Sequence, residues 1–297
     1  RAFENGTLRK DFSTVTDGEV EIVATGNGND AAAIYLPGSF SSVTIDSTGK
    51  NEKANLIVAV DNGSDSYYAI DNDEVSSFTI TGTQALTIAA EEGTPKSSST
   101  DTFGFSESAN VNASDFEGVL RIAGSATDDV ITGGMAADII YGLGGDDRLR
   151  GNEGADQFRL VGYNATDILV DFTTGTDKIG SNVFDFQNTT ETSAGATLAS
   201  SDYVENRNAI TDIGSADDFK VIELQSALSS GQIANDTGAA IEAYVLVFNS
   251  TSGKGELWYD SDWSTAGGRT NAATIDTVVD VTGVRGFSNT DFVEFIA

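Results

Sequence analysis

Four aspartates recur at intervals of nine residues in the middle of this 297-residue chain: Asp129, Asp138, Asp147 and Asp156. Each stands sixth in a unit that opens with glycine, at Gly124, Gly133, Gly142 and Gly151. Each unit carries a large apolar side chain at its eighth position, at Ile131, Ile140, Leu149 and Phe158. Carboxylates are hard oxygen ligands and glycine-rich turns expose main-chain carbonyls, so the pattern is typical of a site for a hard cation.

The spacing also predicts the element that positions these aspartates. The apolar residue and one neighbour on each side make a short strand whose side chain points inward, and the six preceding residues make a turn. Two nine-residue units then complete one coil of a flattened right-handed solenoid. Stacked coils lie about 4.8 Å apart, the spacing of neighbouring strands. Asp129 is therefore expected one layer from Asp147, and Asp138 one layer from Asp156.

Carboxylates stacked in this way repel each other unless a cation lies between them. Calcium accepts six or more hard oxygen ligands, including main-chain carbonyls, and four units offer two shared positions, one on each edge. Zinc and copper are poor candidates because the chain has no cysteine and no histidine. The alternative is that the aspartates only cap turns by Asx hydrogen bonds. The predicted calcium ligands in the repeat are Asp129, Asp138, Asp147, Asp156, Gly133, Gly142, Gly144 and Gly151.

The second unit departs from the pattern, because Met135, Ala136 and Ala137 replace the usual glycine-rich turn. We therefore expect the site that uses Asp138 and Asp156 to be the weaker of the two. After the repeat, Asp171 and Asp177 offer oxygens for a further site, or else belong to a strand and turn that cap the last layer. The motifs around Asp30, Asp65, Asp260 and Asp262 are weaker: they read more often as ordinary polar turns, with minor calcium sites as the alternative.

Composition excludes several classes of partner. The chain has 16 basic and 46 acidic residues, a net charge of −30, and no stretch that gathers basic residues into a patch. Nucleic acid and anionic lipid are therefore implausible partners, and divalent cations are plausible ones. No run of apolar residues is long enough for membrane insertion as a helix. The absence of cysteine fits a protein of the oxidising exterior that uses metal ions where others use disulfides.

The regions on either side of the repeat read as strands separated by polar turns. The sequence thus predicts an all-β chain: a strand-rich β-solenoid or sandwich-like region over residues 1–123, a right-handed parallel β-roll over 124–159, and a strand-rich cap over 160–297. Predicted strands cover residues 19–25, 42–46, 55–61, 77–81, 86–90, 119–123, 275–284 and 287–296, with a hairpin formed by 244–248 and 256–259. Residues 225–233 are predicted to form a short helix, and residues 91–102 a surface loop.

The order of the repeat, DILVDFTTGTDKI, GELWYDSD and GVRGFSNTDFVEFIA resembles the C-terminal portion of RTX proteins of the type I secretion class. In that family the export signal is uncleaved and lies at the C-terminus, which implies a signal within 160–297. Residues 1–123 resemble the β-solenoids of bacterial S-layer proteins of the same class. The resemblance implies calcium ions, the type I secretion machinery and self-association into a surface lattice, with a cell-surface polysaccharide as a further partner. The implied location is extracellular, on the bacterial surface.

An enzymatic role is not expected. A chain without histidine cannot hold an HExxH zinc site or a Ser-His-Asp triad, and one without cysteine has no thiol nucleophile. Paired carboxylates remain open, because the sequence does not show which acids converge. The alternative function is a calcium-binding secretion or binding module of a larger extracellular enzyme or adhesin.

Overall fold

The computed structural model describes residues 8–11, 19–24, 31–36, 42–49, 54–58, 67–73, 75–89, 102–160, 165–181 and 196–294. The chain divides into two compact units, Arg1–Gln157 and Phe158–Ala297. The finer division at residues 123 and 159 stays a prediction. None of the helices in the described ranges has the length and apolar character that crossing a membrane requires.

The first unit is a parallel β-solenoid. Its strands are β1 (Leu8–Asp11), β2 (Glu19–Ala24), β3 (Ala31–Tyr35), β4 (Ser42–Ser47), β5 (Asn55–Val58), β6 (Tyr67–Asp71), β7 (Ser77–Gly82), β8 (Leu86–Ala89), β9 (Thr102–Phe105), β10 (Asn110–Asn112), β11 (Leu120–Ala123), β12 (Val130–Thr132), β13 (Ile139–Tyr141) and β14 (Arg148–Arg150), and β15 (Gln157–Leu160) begins at its last residue. One sheet runs in the order β13-β11-β8-β5-β3-β6-β9, with β1 beside β3, and the other in the order β14-β12-β10-β7-β4-β2.

From β4 to β14, successive coils along one sheet shorten towards the nonapeptide repeat. Val43 pairs in parallel with Phe78, 35 positions later, and Phe78 with Val111, 33 positions later. Val111 then pairs with Ile131 after 20 positions, and Ile131 with Leu149 after 18. These five side chains are at most 1% exposed and form one continuous inward column. The prediction of one coil per two nonapeptides is confirmed, and so is the all-β fold with a parallel β-roll over the repeat.

The inward column follows from the alternation of apolar and polar residues. In β4 and β7 the buried positions alternate with partly exposed ones. In β12, β13 and β14 only the central residue of three is buried. A strand of period two buries every second side chain, so one apolar residue per nonapeptide is enough to fill so thin a layer. The predicted strands in this unit are confirmed within one or two residues where the structure describes them.

The second unit combines parallel strands with an antiparallel meander. Its elements are β16 (Asp167–Leu169), β17 (Lys178–Ser181), β18 (Ala196–Thr197), β19 (Tyr203–Arg207), β20 (Lys220–Leu224), α1 (Ser230–Asn235), β21 (Ala243–Asn249), β22 (Lys254–Asp260), β23 (Thr270–Ile275), α2 (Val281–Val284) and β24 (Phe292–Glu294), with short 3-10 helices at Ile210–Asp212, Ser215–Asp217 and Asn289–Asp291. β21 and β22 form the predicted hairpin. A core of Trp263, Ile233 and the inward residues of β20 and β21 lies beneath it.

Three predictions for the second compact unit are wrong at least in part. The strand predicted over residues 275–284 is wrong beyond its first residue. β23 ends at Ile275, where the Val278 N–H donates to the Ile275 carbonyl oxygen (3.1 Å) and the chain turns. The Asp280 side chain then accepts a hydrogen bond from the Gly283 N–H (2.9 Å) and caps the helical turn α2. Ser288 likewise caps the 3-10 turn before β24, so the strand predicted over 287–296 is shorter. The predicted helix over residues 225–233 begins later, at Ser230.

Candidate calcium sites in the β-roll

The turns of the four nonapeptides stack in pairs. Residues 124–129 and 142–147 connect the first sheet to the second, and we call this pair of turns edge I. Residues 133–138 and 151–156 connect the second sheet back to the first, and we call this pair edge II. Consecutive coils in both sheets are in register at 18 residues. The structure therefore brings Asp129 together with Asp147 and Asp138 together with Asp156, as the repeat predicts.

One oxygen of each sixth-position aspartate bridges to the previous coil. The Asp129 N–H donates to Asp147 Oδ1 (2.8 Å), and the Asp138 N–H donates to Asp156 Oδ1 (2.8 Å). The pattern continues one coil earlier, where the N–H groups of Ala109 and Leu120 donate to the Oδ1 atoms of Asp129 and Asp138. The four aspartates thus form two hydrogen-bonded ladders, one along each edge.

In the first two nonapeptides the other carboxylate oxygen closes the turn of its own unit. The Ser125 N–H donates to Asp129 Oδ2 (2.5 Å), and the Gly134 N–H donates to Asp138 Oδ2 (2.6 Å). All four sixth-position aspartates are at most 1% exposed. The Asx capping that the sequence left open as an alternative is therefore present. It does not exclude a cation, because an ionised carboxylate has about four acceptor sites.

Burial changes the acidity of these carboxyl groups. It raises the pKa of Asp129 to about 6, against the lowering effect of the Ser125 and Ala109 hydrogen bonds, and the neighbouring charge of Asp128 adds to the increase. Burial likewise raises the pKa of Asp138 to about 6, against the hydrogen bonds from Gly134 and Leu120. Ionising either group inside the turn is therefore unfavourable unless positive charge is supplied.

The opening glycine of each unit leaves room for the aspartate. A Cβ added to Gly133 would lie 2.7 Å from Asp138 Oδ2 and 2.7 Å from the Gly151 carbonyl oxygen. At Gly124, Gly142 and Gly151 an added Cβ would also lie closer than 3.0 Å to the Oδ2 of the aspartate in the same unit. Carboxylate and carbonyl oxygens therefore converge above Gly124 and Gly133, where the carbonyl oxygens of Gly142 and Gly151 also lie close. This donor set suits calcium.

Main-chain oxygens must supply most of the ligands. Across the described residues, no group of three or more acidic, histidine or cysteine side chains is placed to hold a metal ion. Calcium accepts carbonyl oxygens readily, so a site built from one or two aspartates and several turn carbonyls remains consistent with this geometry. The repeat residues predicted as ligands all lie in these turns, and their direct role in binding stays a prediction.

The turns of the later units differ from those of the earlier ones. Leu143 and Gly145 have φ values of 78° and 98°, and Asn152 and Gly154 have φ values of 65° and 131°. No residue of the first two units, 124–141, has a positive φ. In the first unit the Ser125 hydroxyl contacts Thr127 instead. The sequence predicts an irregular turn in the second nonapeptide. Because the first nonapeptide also has no left-handed residue, its turn departs from the later ones in the same way.

In the second unit of the fold, Asp177 and Asp291 repeat the roll-type contact. The Thr173 N–H donates to Asp177 Oδ2 (2.7 Å), and the Gly175 N–H donates to Asp291 Oδ1 (2.6 Å). Asp291 Oδ2 accepts from the Ser288 N–H (2.8 Å). Asp177 and Asp291 are both buried, whereas Asp171, the other predicted ligand here, is only partly buried.

Asp291 was missed in the sequence, although Gly286 stands five residues before it, the spacing of a nonapeptide. The minor candidates have other partners: Asp260 pairs with Arg269 (3.1 Å), and Asp262 accepts from the Ser264 N–H (3.0 Å). Asp30 and Asp65 lie outside the described residues.

Comparison with known proteins agrees with this geometry. A sequence model for the RTX calcium-binding nonapeptide repeat (4 copies) matches residues 121–158. No curated protein matches the chain. RTX nonapeptides bind calcium ions and are typical of secreted proteins. The two ladders of buried aspartates therefore lie in a segment of RTX calcium-binding nonapeptide repeats that spans residues 121–158.

Proposed function

We propose that this chain is a calcium-dependent structural protein of the bacterial cell surface, of the S-layer type, exported by type I secretion and folded by extracellular calcium. The observation that carries the proposal is the stacking of Asp129 on Asp147 and of Asp138 on Asp156 inside buried turns. An ionised carboxylate is costly to bury without a compensating charge. An ion held between two coils would supply that charge and tie the coils together.

Extracellular calcium concentrations are in the range that would fill such sites and fold the roll. Extracellular calcium modules have dissociation constants of about 10⁻⁴–10⁻³ M. Calcium at ten to a hundred times that value would stabilise the folded roll by about 1.4–2.7 kcal/mol per site. Calcium at about 10⁻⁷–10⁻⁵ M, where cytosolic sensors operate, would leave the sites mostly empty. Binding free energy would become folding free energy only outside the cell.

A scaffold role fits the continuity of the first unit. The inward column from Val43 to Leu149 passes from the long N-terminal coils into the roll without a break. Ordering the roll would therefore support the coils stacked behind it, as nearest-neighbour coupling does in other solenoids. The absence of histidine and cysteine from the sequence favours a structural over an enzymatic role.

The proposal is tested at the cell surface and in solution. Electron microscopy of cells that display the full chain should reveal an ordered lattice that a calcium chelator dissolves. The purified chain should gain β-structure by far-UV circular dichroism as calcium rises through the millimolar range. A chain that stays dispersed, with activity residing in a larger protein that contains it, would support the alternative of a secretion or binding module. Folding that does not depend on calcium would contradict both the structural role and the alternative of a calcium-binding module.

A further inference from the structure

A buried ion pair closes the loop between β22 and β23 in the second compact unit. We call residues 261–268 the 261–268 loop, and the residues that flank it are Asp260 and Arg269. Asp260 Oδ2 and Arg269 Nε lie 3.1 Å apart, and the two side chains are 7% and 1% exposed. The charges at the two ends of the loop therefore meet away from water.

Four main-chain carbonyl oxygens converge on the same guanidinium. Its Nη2 atom donates to the carbonyls of Asp236 (2.6 Å), Thr265 (3.2 Å) and Trp263 (3.4 Å). Its Nη1 atom donates to the carbonyl of Ile233, at the end of α1. The Trp263 ring covers one face of the group, with its centroid 4.3 Å from the central carbon. With the Asp260 carboxylate, an oxygen cage built from three segments of the chain surrounds one positive charge.

The oxygen cage has the donor set of a site for a hard cation, because it combines a carboxylate with several main-chain carbonyls. The sequence offers Asp260 and Asp262 as a minor calcium candidate. The Asp262 N–H donates to Asp260 Oδ1 (2.9 Å), as in an Asx turn. The other oxygen, Oδ2, accepts from Arg269 Nε. A cation that the chain itself supplies thus lies where this candidate would bind calcium.

We propose that the Arg269 guanidinium is a built-in cation that fills the oxygen cage, so that the 261–268 loop becomes ordered without a metal ion. A guanidinium keeps its charge in proteins, and its five N–H groups can serve several acceptors at once. Without it the cage would bury a carboxylate without a compensating charge and remove donors from the carbonyl oxygens around it. Both changes are costly. The calcium dependence proposed for the roll therefore does not extend to this loop.

Hydrogen exchange of the full chain, measured with chelator and with saturating calcium, tests this assignment. One reporter is the Gly238 N–H, which donates to the Trp263 carbonyl (2.8 Å), and the other is the Gly267 N–H, which donates to the Ala234 carbonyl (2.8 Å). In the wild type both should be protected in chelator, and calcium should change their protection by less than about twofold because it has no site there to fill. The Ser125 N–H of the roll should instead gain protection when calcium is added.

Arg269→Ala empties the oxygen cage. In chelator it should lower the protection of both reporters at least about a hundredfold, because removing one partner of a buried ion pair is strongly destabilising. Guanidinium chloride, kept at or below about 20 mM and so far under the molar range that unfolds proteins, should bind the empty cage. At ten times its dissociation constant it should restore protection about tenfold.

Two controls separate charge from shape. Urea at the same concentration has nearly the shape of guanidinium without its charge, and it should restore nothing in Arg269→Ala. Lys254→Ala removes a half-exposed cation from the neighbouring strand β22, and its reporters should respond to neither compound.

Reporters of the 261–268 loop that lose protection when the wild type is placed in chelator would refute the built-in cation, whether or not Arg269→Ala folds. Restoration of Arg269→Ala by urea as well as by guanidinium would also refute it, since the effect would then come from filling a cavity. No restoration by guanidinium would count equally against it. All three outcomes leave calcium-driven folding of the roll intact. Exchange at Ser125 that calcium does not alter would instead contradict the proposed function and leave the built-in cation standing.

Discussion

Asp129 and Asp147 are linked across adjacent coils, because the main-chain N–H of Asp129 donates to Oδ1 of Asp147 at 2.8 Å. The carboxylate of one unit therefore satisfies the backbone of the unit 18 residues before it. A side chain predicted to bind calcium thus also stabilises the fold, and substitutions at this position should affect both properties.

Asp147→Ala should therefore harm the protein more than Asp128→Ala. Removing the Asp147 carboxylate leaves the buried Asp129 N–H without its acceptor, which costs about 1–3 kcal/mol of folding free energy. It also removes a predicted calcium ligand from edge I. Asp128 is exposed, and its loss should cost less than about 1 kcal/mol. Urea unfolding measures the change in folding free energy, and calorimetric titration with calcium measures the change in affinity. Equal calcium affinity in the two variants would contradict the assignment of Asp147 as a ligand.

The calcium-free fold should lose stability as pH rises through the range from about 4 to 6. Asp129 and Asp138 have pKa values of about 6 in the fold against a reference of 3.8. Between these values the folded state holds protons that the unfolded state has released, so the free energy of unfolding falls with increasing pH and levels off above about 6.

Calcium affinity should change in the opposite direction, because calcium binds ionised carboxylates, so binding tightens as pH rises to about 6. Urea unfolding in calcium-depleted buffer at several pH values tests the first trend, and calcium titrations over the same range test the second. The double variant Asp129→Asn, Asp138→Asn is the control and should flatten the contribution of these two groups. If the free energy of unfolding changes with pH as steeply in the double variant as in the wild type, other acidic residues are responsible for the change.

Gly142→Ala should be far more harmful than Gly144→Ala. A Cβ at Gly142 would lie closer than 3.0 Å to Asp147 Oδ2, whereas a Cβ at Gly144 would meet the Ala126 carbonyl oxygen at 3.2 Å. The first change must displace the buried carboxylate, and overpacking of this kind costs about 1–3 kcal/mol. The second needs a shift of only a few tenths of an ångström. Thermal unfolding with calcium present compares the stability of the two variants. A larger loss of stability in Gly144→Ala would contradict the assignment of Gly142 as the glycine that leaves room for the Asp147 carboxylate.

Arg269 should be essential to the second unit independently of calcium. Its guanidinium is buried, pairs with Asp260 (3.1 Å), donates to the Asp236 carbonyl (2.6 Å) and lies 4.3 Å from the Trp263 ring centroid. Arg269→Ala leaves a buried carboxylate uncompensated, which costs about 3–5 kcal/mol.

The half-exposed pair of Lys254 and Asp276 provides the control, and Lys254→Ala should cost about 0–1 kcal/mol. Tryptophan fluorescence during urea unfolding, with and without chelator, reports both changes. A cost for Arg269→Ala that disappeared in calcium would mean that the ion and the guanidinium compete for Asp260.

The repeat made its own structure predictable because it carries one inward residue and one turn aspartate per unit. Strand register, coil length and the pairing of Asp129 with Asp147 all follow from nine-residue spacing. Contacts that depend on a single side chain in one unit did not follow. The Asn152 amide on Gly133 is an example, because the sequence does not show where a side chain in a left-handed turn will point.

The second unit was less predictable because turns and capping residues override apolar runs. The turn after Ile275 and the cap at Ser288 shorten strands that the alternation of apolar residues had extended. Asp291 lies 116 residues from its donor Gly175, so no local pattern joins them. Only the glycine-to-aspartate spacing of Gly286 and Asp291 hinted at a roll-type turn.

The parallel pairing of β17 with β24 joins Ile179 to Phe292 across 113 positions. Such a non-local contact carries a high loop-closure entropy and slows folding. A chain that emerges in order from a ribosome or a narrow conduit cannot close this sheet until residue 294 is free. The second compact unit would thus stay incomplete while the chain emerges, and β24 would pair with β17 only after residue 294 is free.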